Sequence, residues 1–226
     1  MMQSVILIPA YNEEKNIGSI IADLNEINPS EIVVIDDGSQ DRTAEVARRM
    51  GAKVLRLDRN YGKGRALKKG LEYVLHTDAS VVFIMDADGQ HRAEDVLKLY
   101  NHYKKFRPDV IVGNRMNNPW NMPVIRRVTN WIMSKIISIM CRTKIPDSQC
   151  GLKLFSRKVI EKVNITSRKF EVESELLLKA AREGFKIDSV DISSVYFPER
   201  KSRIRPFPDT IRFIKFTIKY WFYREF

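Results

Sequence analysis

Two aspartates, Asp86 and Asp88, follow directly after the apolar run Val81–Met85. In extended backbone the side chains at positions i and i+2 point to the same face, so both carboxylates can converge on one cation. Hard divalent ions such as Mg²⁺ and Mn²⁺ favour carboxylate oxygen and commonly also bind substrate phosphates. The alternative is a solvated turn with Asp-Gly at its corner, the usual interpretation of an isolated Asp-x-Asp pair. The position after an apolar strand favours the metal site.

A second acidic pair, Asp36 and Asp37, follows the apolar run Ile32–Ile35. Acidic residues at a strand end can accept hydrogen bonds from a ribose or from the N–H groups of a base. A structural interpretation is also open, in which the turn leads into a helix capped by Ser39 or Asp41. The two interpretations are compatible.

Two short loops carry further candidates. In Pro9–Glu14 the proline fixes the exit direction of a strand, and Tyr11 is able to stack against a base or to pack on a helix. The segment Asn60–Gly64 lacks the spacing of a P-loop, because a single residue separates its glycines and an arginine follows Lys63. Its amides and Lys63 can still face a diphosphate. The alternative is a merely flexible connection.

The elements that must position these residues alternate along the first half of the chain. Helical patterns near 13–27, 41–50, 63–76 and 93–106 separate five apolar runs, which are Val5–Ile8, Glu31–Ile35, Lys53–Leu57, Val81–Met85 and Val110–Val112. Such alternation predicts an α/β fold with a doubly wound, Rossmann-like, mainly parallel sheet flanked by helices. Ligands of such sheets bind beyond the carboxyl ends of the strands, where both acidic pairs lie.

The regular alternation of strand and helix patterns ends at about residue 116. The patterns predict a helix near 124–141, a strand at 152–155, a helix near 172–183, a strand near 186–196 and an amphipathic C-terminal helix from about 209. We expect one catalytic domain over residues 1–206. The basic, aromatic segment 207–226 is expected to lie on a membrane surface.

The net charge of +11 is concentrated in two patches. Residues 124–144 hold five Lys or Arg and no acidic residue, and residues 199–226 hold eight against three acidic residues. Both patches are also rich in apolar and aromatic residues, which favours contact with anionic lipid headgroups. The alternative is that the apolar stripes face a core and the basic residues form a solvated rim.

Other features of the sequence bear on location. Cys141 and Cys150 are too few for a disulfide framework and indicate a reducing compartment. No basic leader precedes the first strand, and no uncharged apolar stretch has the length of a transmembrane helix. We therefore expect a cytoplasmic protein that is peripheral at the inner face of a membrane.

Six motifs stand in the order typical of a known family: Pro9–Glu14, Asp36–Ser39, Asn60–Gly64, Asp86–His91, Gly113–Arg115 and Asp147–Gly151. Over roughly residues 3–200 the chain resembles family 2 glycosyltransferases of the GT-A fold. The set is most similar to the polyprenyl-phosphate branch, typified by dolichyl-phosphate mannose synthase. Unlike those relatives, this chain shows no C-terminal membrane spans.

The resemblance assigns roles by position. It implies a nucleoside pocket lined by Pro9, Ala10, Tyr11 and Glu13, with Asp36 and Asp37 facing the base and ribose. Around the metal and diphosphate it implies Asp86, Asp88 and Gln90, with Lys63 also near the nucleotide. Arg115 would contact phosphate and Asp147 would be a catalytic carboxylate. Contacts with the acceptor phosphate are expected from Arg126, Arg127, Arg200 and Lys201.

The implied reaction is an inverting transfer of a sugar, mannose or glucose, from a GDP- or UDP-linked donor to a polyprenyl or dolichyl phosphate, with Mg²⁺ or Mn²⁺. A lipid phosphate is mostly dianionic at neutral pH and needs little help from a base. A hydroxyl acceptor on a glycan or glycolipid would need one, and Asp147 would then be the candidate. An oligomer or a membrane-protein partner is left open.

Two other classes fit less well. A sugar nucleotidyltransferase would show a glycine-rich basic signature after the first strand, which Pro9–Glu14 lacks. A nucleic-acid binder is suggested by the basic excess, but the acidic strand ends would repel a phosphate backbone. We therefore expect no nucleic-acid partner.

Overall fold

A computed structural model of the chain describes residues 2–119, 122–167, 171–193, 213–218 and 220. The chain divides into two units, Met1–Val195 and Tyr196–Phe226. Of the second unit, residues 213–218 are helical, and most of the predicted C-terminal helix lies outside the described residues. The predicted domain boundary at residue 206 stays a prediction. All further description concerns the first unit.

The first unit is built on one seven-stranded sheet. Its strands are β1 (Met2–Ala10), β2 (Pro29–Asp36), β3 (Lys53–Arg56), β4 (Val81–Met85), β5 (Val110–Asn114), β6 (Leu152–Ser156) and β7 (Ile187–Asp191). Their spatial order is β3-β2-β1-β4-β6-β5-β7. Every pairing is parallel except those of β6, which runs antiparallel to both β4 and β5. The predicted mainly parallel α/β sheet is confirmed, but the sequence did not predict the reversed strand.

Helices cover the sheet and follow the sequence pattern closely. They are α1 (Glu14–Glu26), α2 (Thr43–Arg49), α3 (Lys63–Val74), α4 (Ala93–Phe106), α5 (Val124–Cys141), α6 (Arg157–Lys162) and α7 (Glu171–Arg182). The short helix α6 was not predicted. Strand β7 ends at Asp191, earlier than the pattern suggested, and residues 194–196 lie outside the described part of the chain.

The core lies on both faces of the central strands. All five residues of β4 and of β5 are buried, as are the last five of β2. Strands covered on both faces need continuous apolar runs rather than alternation, which is why the sequence reads as blocks of Val and Ile. The chain moves to one side of β1 through β2 and β3 and returns to the other side at β4. Open α/β sheets bind their ligands at such a reversal of strand order, beyond the carboxyl ends of the strands, and we call this place beside β1 and β4 the crevice.

Helix α5 buries a side that is partly polar. Its buried residues are Asn130, Ser134, Ile137 and Cys141. Besides Arg127 and Lys135, it exposes six large apolar side chains, which we call the α5 apolar face: Val124, Ile125, Val128, Trp131, Ile132 and Ile139. Ile125 is 74% exposed and Ile139 is 66% exposed, so the predicted stripe does not face the core.

Candidate active site

The loops after β1 and β2 are tied to one another at the crevice. The Asn12 N–H donates to Ser39 Oγ at 2.9 Å, and the Gln40 N–H donates to Asn12 Oδ1 at 2.9 Å. The Glu13 N–H donates to Thr43 Oγ1 at 2.7 Å. These bonds join residues 27 to 30 positions apart in sequence and fix one rim of the crevice.

The residues predicted to line the nucleoside pocket lie at this rim. Ala10 and Glu13 are buried, whereas Pro9 and Tyr11 are half-buried. The Glu13 carboxylate accepts a hydrogen bond from Asn16 Nδ2 at 2.7 Å. The nucleoside contacts themselves stay predictions.

Asp36 and Asp37 shape the loops after β2 and β3. Asp36 is fully buried and accepts the Ser39 N–H at 3.0 Å. Arg56 Nε lies 3.2 Å from Asp36 Oδ2, an ion-pair distance without hydrogen-bond alignment. Asp37 accepts the N–H groups of Tyr61 at 2.9 Å and Gly62 at 2.8 Å. Burial raises the pKa of Asp37 above its ordinary value, although these two amides act against it.

A glycine allows these loops to touch. Gly38 has a φ of +72°, and a Cβ on it would lie 2.4 Å from the carbonyl carbon of Arg59. The Asp36–Gly38 turn thus fits the structural interpretation of the motif. Contact with a base or ribose is a separate prediction for these carboxylates.

Asp86, Asp88 and Gln90 are half-buried at the end of β4, beside the crevice. The Asp86 N–H donates to the Gly151 carbonyl at 3.2 Å, and the Gln90 N–H donates to Asp88 Oδ1 at 3.0 Å. A Cβ on Gly151 would lie 2.2 Å from Asp86 Oδ2. Any residue other than glycine would therefore displace the Asp86 carboxylate. The start of β6 therefore helps to position the first aspartate of the pair.

The donor set suits a cation that shares its ligands with a phosphate. Among the described residues there is no group of three or more His, Cys, Asp or Glu side chains that could hold a metal ion. Mg²⁺ is commonly bound by one or two carboxylates together with substrate phosphates rather than by an all-protein cage. Asp86 and Asp88 fit that second arrangement.

A buried chain of alternating charge leads to Asp86. Lys63 Nζ donates to Asp86 Oδ1 at 2.5 Å and also to Glu173. Glu173 accepts a second ammonium, that of Lys153, which is 1% exposed. Although burial acts against ionisation in each case, the neighbouring opposite charges raise the pKa of Lys63 and lower that of Glu173. Lys63 and Glu173 are therefore charged at neutral pH.

Lys153 and Glu173 were not among the site residues predicted from the sequence. A signal was nonetheless available, since Lys153 interrupts the apolar strand Leu152–Phe155. For Glu173 the signal is seen only in the structure, where all residues of its helix from 172 to 180 are buried. Charged residues are almost never fully buried unless they are paired, so the position of Lys153 in an apolar strand implied a charged partner.

Arg115 and Asp147, predicted to serve as phosphate ligand and catalytic carboxylate, are paired with each other. Arg115 Nε and Nη2 donate to the two carboxylate oxygens at 2.7 and 3.0 Å, and the Arg115 N–H donates to Oδ2 at 3.1 Å. Asp147 is fully buried and Arg115 is 5% exposed. In this arrangement the Asp147 carboxylate is not available as a base. The catalytic roles of both residues stay predictions.

Helix α5 holds the loop that carries Asp147. Ser134 Oγ accepts the Ser148 N–H at 2.9 Å, and Ser138 Oγ accepts the Ile145 N–H at 3.0 Å. The polar inner side of α5 therefore has a structural reason: these hydroxyls satisfy loop amides that would otherwise be buried without partners.

His91 is a further buried group near this pair. Burial, helped by the positive charge of Arg115, lowers the pKa of His91 to about 3. Its Nδ1 has no hydrogen-bond partner. The imidazole is therefore neutral at physiological pH.

The four residues predicted to contact the acceptor phosphate lie in two separate segments of the chain. Arg126 is half-buried and Arg127 is exposed, both in the first turn of α5. Arg200 and Lys201 lie outside the described residues.

Comparison with known proteins agrees with this geometry. Residues 5–163 match the family described as Glycosyl transferase family 2. The chain is 36% identical over 203 residues to an uncharacterised protein of Methanocaldococcus jannaschii, covering 88% of this chain and 84% of that one. It is 30% identical over 213 residues to the UDP-N-acetylglucosamine–dolichyl-phosphate N-acetylglucosaminyltransferase of Methanococcus voltae, covering 84% and 85% of the two chains.

A solved structure supports the fold. Glucosyl-3-phosphoglycerate synthase from Mycobacterium tuberculosis, in complex with Mn²⁺, UDP and phosphoglyceric acid, superposes with a TM-score of 0.75 at 20% identity. The match covers 98% of this chain and 78% of that one. The resemblance seen in the motifs is thus confirmed: the chain belongs to glycosyl transferase family 2 and is a glycosyltransferase of the GT-A fold.

Proposed function

We propose that the protein transfers a hexose from a nucleoside-diphosphate sugar to a polyprenyl phosphate, with inversion at the anomeric carbon. The observation that carries the proposal is the placement of Asp86 and Asp88, two carboxylates at the strand end that borders the crevice. The acceptor class is supported by the dolichyl phosphate in the name of the Methanococcus voltae relative. The donor is a UDP- or GDP-linked sugar.

A divalent cation, Mg²⁺ or Mn²⁺, is proposed as the cofactor, held by Asp86 and Asp88 near the amide of Gln90. Such a cation would neutralise charge that develops on the departing diphosphate. The presence of Mn²⁺ with UDP in the solved protein of the same fold supports this assignment. The rim formed by the loops after β1 and β2 would hold the nucleoside, with Pro9, Ala10 and Tyr11 beside it.

The reaction needs no protein base if the acceptor is a phosphate. An oxygen of the lipid phosphate attacks the anomeric carbon while the bond from that carbon to the donor diphosphate breaks. The leaving nucleoside diphosphate takes the bonding electrons, and no proton has to move. Because Asp147 is occupied by Arg115, the site favours this acceptor over a hydroxyl, which would need a free carboxylate. Asp147 then acts by holding the Arg115 guanidinium in place near the phosphates.

A lipid acceptor requires the protein to meet a membrane, and the α5 apolar face is suited to that contact. It lies on a stretch with five basic and no acidic residues, residues 124–144, so anionic headgroups would be attracted to it. None of the helices in the described part of the chain has the length and hydropathy needed to cross a bilayer. Peripheral binding at the cytoplasmic face, with help from segment 207–226, is our proposal for the location.

The proposal is tested by a transfer assay. The protein is incubated with radiolabelled UDP-glucose, UDP-N-acetylglucosamine or GDP-mannose and with vesicles that contain a polyprenyl phosphate. We expect label to enter the organic phase with one of these donors, and to be lost when EDTA removes the cation. Transfer only to hydroxyl acceptors, or full activity in EDTA, would contradict the proposal.

A further inference from the structure

Lys63 places a positive charge where a metal ion would have to bind. Its ammonium lies 2.5 Å from Asp86 Oδ1. The Lys63 side chain is 13% exposed and that of Asp86 is 32% exposed. The lysine thus meets the carboxylate from the protein side, and the carboxylate keeps some access to the crevice.

Glu173 anchors the lysine independently of Asp86. It accepts the ammonium of Lys63 on one oxygen and that of Lys153 on the other. Lys153 is further fixed because it donates to the Cys150 carbonyl. If Lys63 released Asp86, Glu173 would still hold its ammonium in the site.

The four charged side chains around Lys63 have no net charge as a group. Lys63 and Lys153 contribute two positive charges, and Asp86 and Glu173 contribute two negative charges. A divalent cation that arrived alone would add two positive charges beside the Lys63 ammonium in a partly buried place, and like charges repel there strongly. A cation that arrived with the diphosphate of a sugar donor would bring two negative charges with it and leave the balance unchanged.

We propose that Lys63 is a built-in competitor of the divalent cation at Asp86. It holds the carboxylate while no donor is bound, and it yields the carboxylate when cation and donor diphosphate enter together. The freed ammonium then contacts the diphosphate while remaining bound to Glu173. This inference rests on the proposed function, because it requires a nucleoside-diphosphate donor.

The test measures Mn²⁺ binding directly, from the loss of the free-ion signal in electron paramagnetic resonance, with and without UDP or GDP. The wild-type protein should bind Mn²⁺ weakly alone and much more tightly with one of the nucleotides. In Lys63→Met the affinity for Mn²⁺ alone should rise by about tenfold or more, since an opposite charge in contact shifts the equilibrium of a carboxylate by about that factor. Lys63→Arg keeps the charge and should keep the weak binding.

A matched control is Lys98→Gln, which removes another lysine that contacts a buried aspartate, Asp95, at 2.8 Å. It should leave Mn²⁺ binding unchanged. Equal affinity for Mn²⁺ alone in wild type and Lys63→Met, with nucleotide dependence intact in both, would overturn the inference and leave the proposed function standing. If neither nucleotide binds the wild type with Mn²⁺, both fail. Should Lys63→Met not fold, the wild type still decides, because Mn²⁺ binding as tight without nucleotide as with it contradicts competition.

Discussion

At the scale of single residues, the site is held together by buried ion pairs whose members depend on each other. The Arg115–Asp147 pair has two guanidinium bonds and one backbone bond on a fully buried carboxylate. A buried charge left without its partner is expensive, whereas the intact pair itself contributes little net stability. Removing one partner should therefore cost more than removing both.

This asymmetry gives the first prediction. Asp147→Asn should lower the free energy of unfolding by about 3 kcal/mol, because it removes the buried negative charge that the Arg115 guanidinium contacts through both carboxylate oxygens. Adding Arg115→Met to that variant should restore part of the loss. Urea unfolding of the two single variants and the double variant measures the coupling. Additive losses would show that the two side chains do not act as a pair.

His91 gives a prediction about pH. Its folded pKa of about 3 lies below the unfolded value of about 6.5. Between these two pH values His91 binds a proton in the unfolded chain but not in the folded chain. The stability that His91 contributes is complete above about pH 6.5 and declines as the pH falls towards 3, by up to about 1.4 kcal/mol per pH unit.

Denaturant unfolding at several pH values between 7 and 5 should show a steeper decline for the wild type than for His91→Gln. The contributions of titrating groups that both proteins share cancel in this comparison. One of these groups is Asp37, whose raised pKa makes the folded state more stable as the pH falls. Parallel curves would mean that the imidazole is not buried as described.

At the scale of elements, the chain entering strand β6 brings Gly151 against Asp86, at the end of β4 where we propose that a cation binds. Gly151→Ala should push the Asp86 carboxylate aside, because the added Cβ would lie 2.2 Å from Oδ2. A displacement of about 1 Å can lower a rate about a hundredfold, and we expect a loss of that order in sugar transfer. The control is Gly18→Ala in α1, where the new Cβ meets the side chains of Val46 at 3.2 Å and Met50 at 4.0 Å. Equal activity in the two variants would show that Gly151 does not position the Asp86 carboxylate for sugar transfer.

Helix α5 connects the proposed membrane contact with the site. Its apolar face points outward, and its inner hydroxyls hold the loop that carries Asp147. Binding of this face to a bilayer would place lipid headgroups on the helix whose other side supports Asp147. Such an arrangement suits an acceptor whose phosphate lies at the membrane surface.

Replacement of Ile125 and Ile132 by Ser should weaken binding to anionic vesicles by about tenfold, since each substitution removes exposed apolar area that would be buried in the headgroup layer. Stability should change by about 0.5 kcal/mol or less, because both positions are exposed. Leu75→Ser alters an exposed apolar residue elsewhere and serves as the control in co-sedimentation with vesicles. Undiminished sedimentation of the α5 variant would exclude this face as the membrane contact.

At the scale of the whole molecule, the parts that the sequence predicted are those encoded locally. The strand at Val81–Met85 and the helices at 93–106 and 124–141 have the predicted bounds, because hydrophobic period and length identify such elements. The motif loops lie at the strand ends because parallel strands with helical crossovers must present their carboxyl ends together.

What could not be predicted depends on contacts between distant residues. Lys63 meets Glu173 across 110 positions of sequence, and Arg115 meets Asp147 across 32, so no local pattern records either pair. The direction of β6 likewise follows from its insertion between β4 and β5 rather than from its own apolar run. The outward orientation of α5 was one of two open alternatives, and the polar partners of Ser134 and Ser138 explain it.

The central claim is that Asp86 and Asp88 hold a cation against the diphosphate of a sugar donor. Its most direct test is thermal unfolding with UDP and with GDP, each with and without Mn²⁺, for the wild type and Asp88→Ala. We predict that one nucleotide raises the wild-type Tm by about 5 °C or more at saturating concentration, only when Mn²⁺ is present, and that Asp88→Ala abolishes the shift while its Tm without ligand is unchanged. A shift that does not need Mn²⁺, or one that Asp88→Ala retains, would contradict the claim.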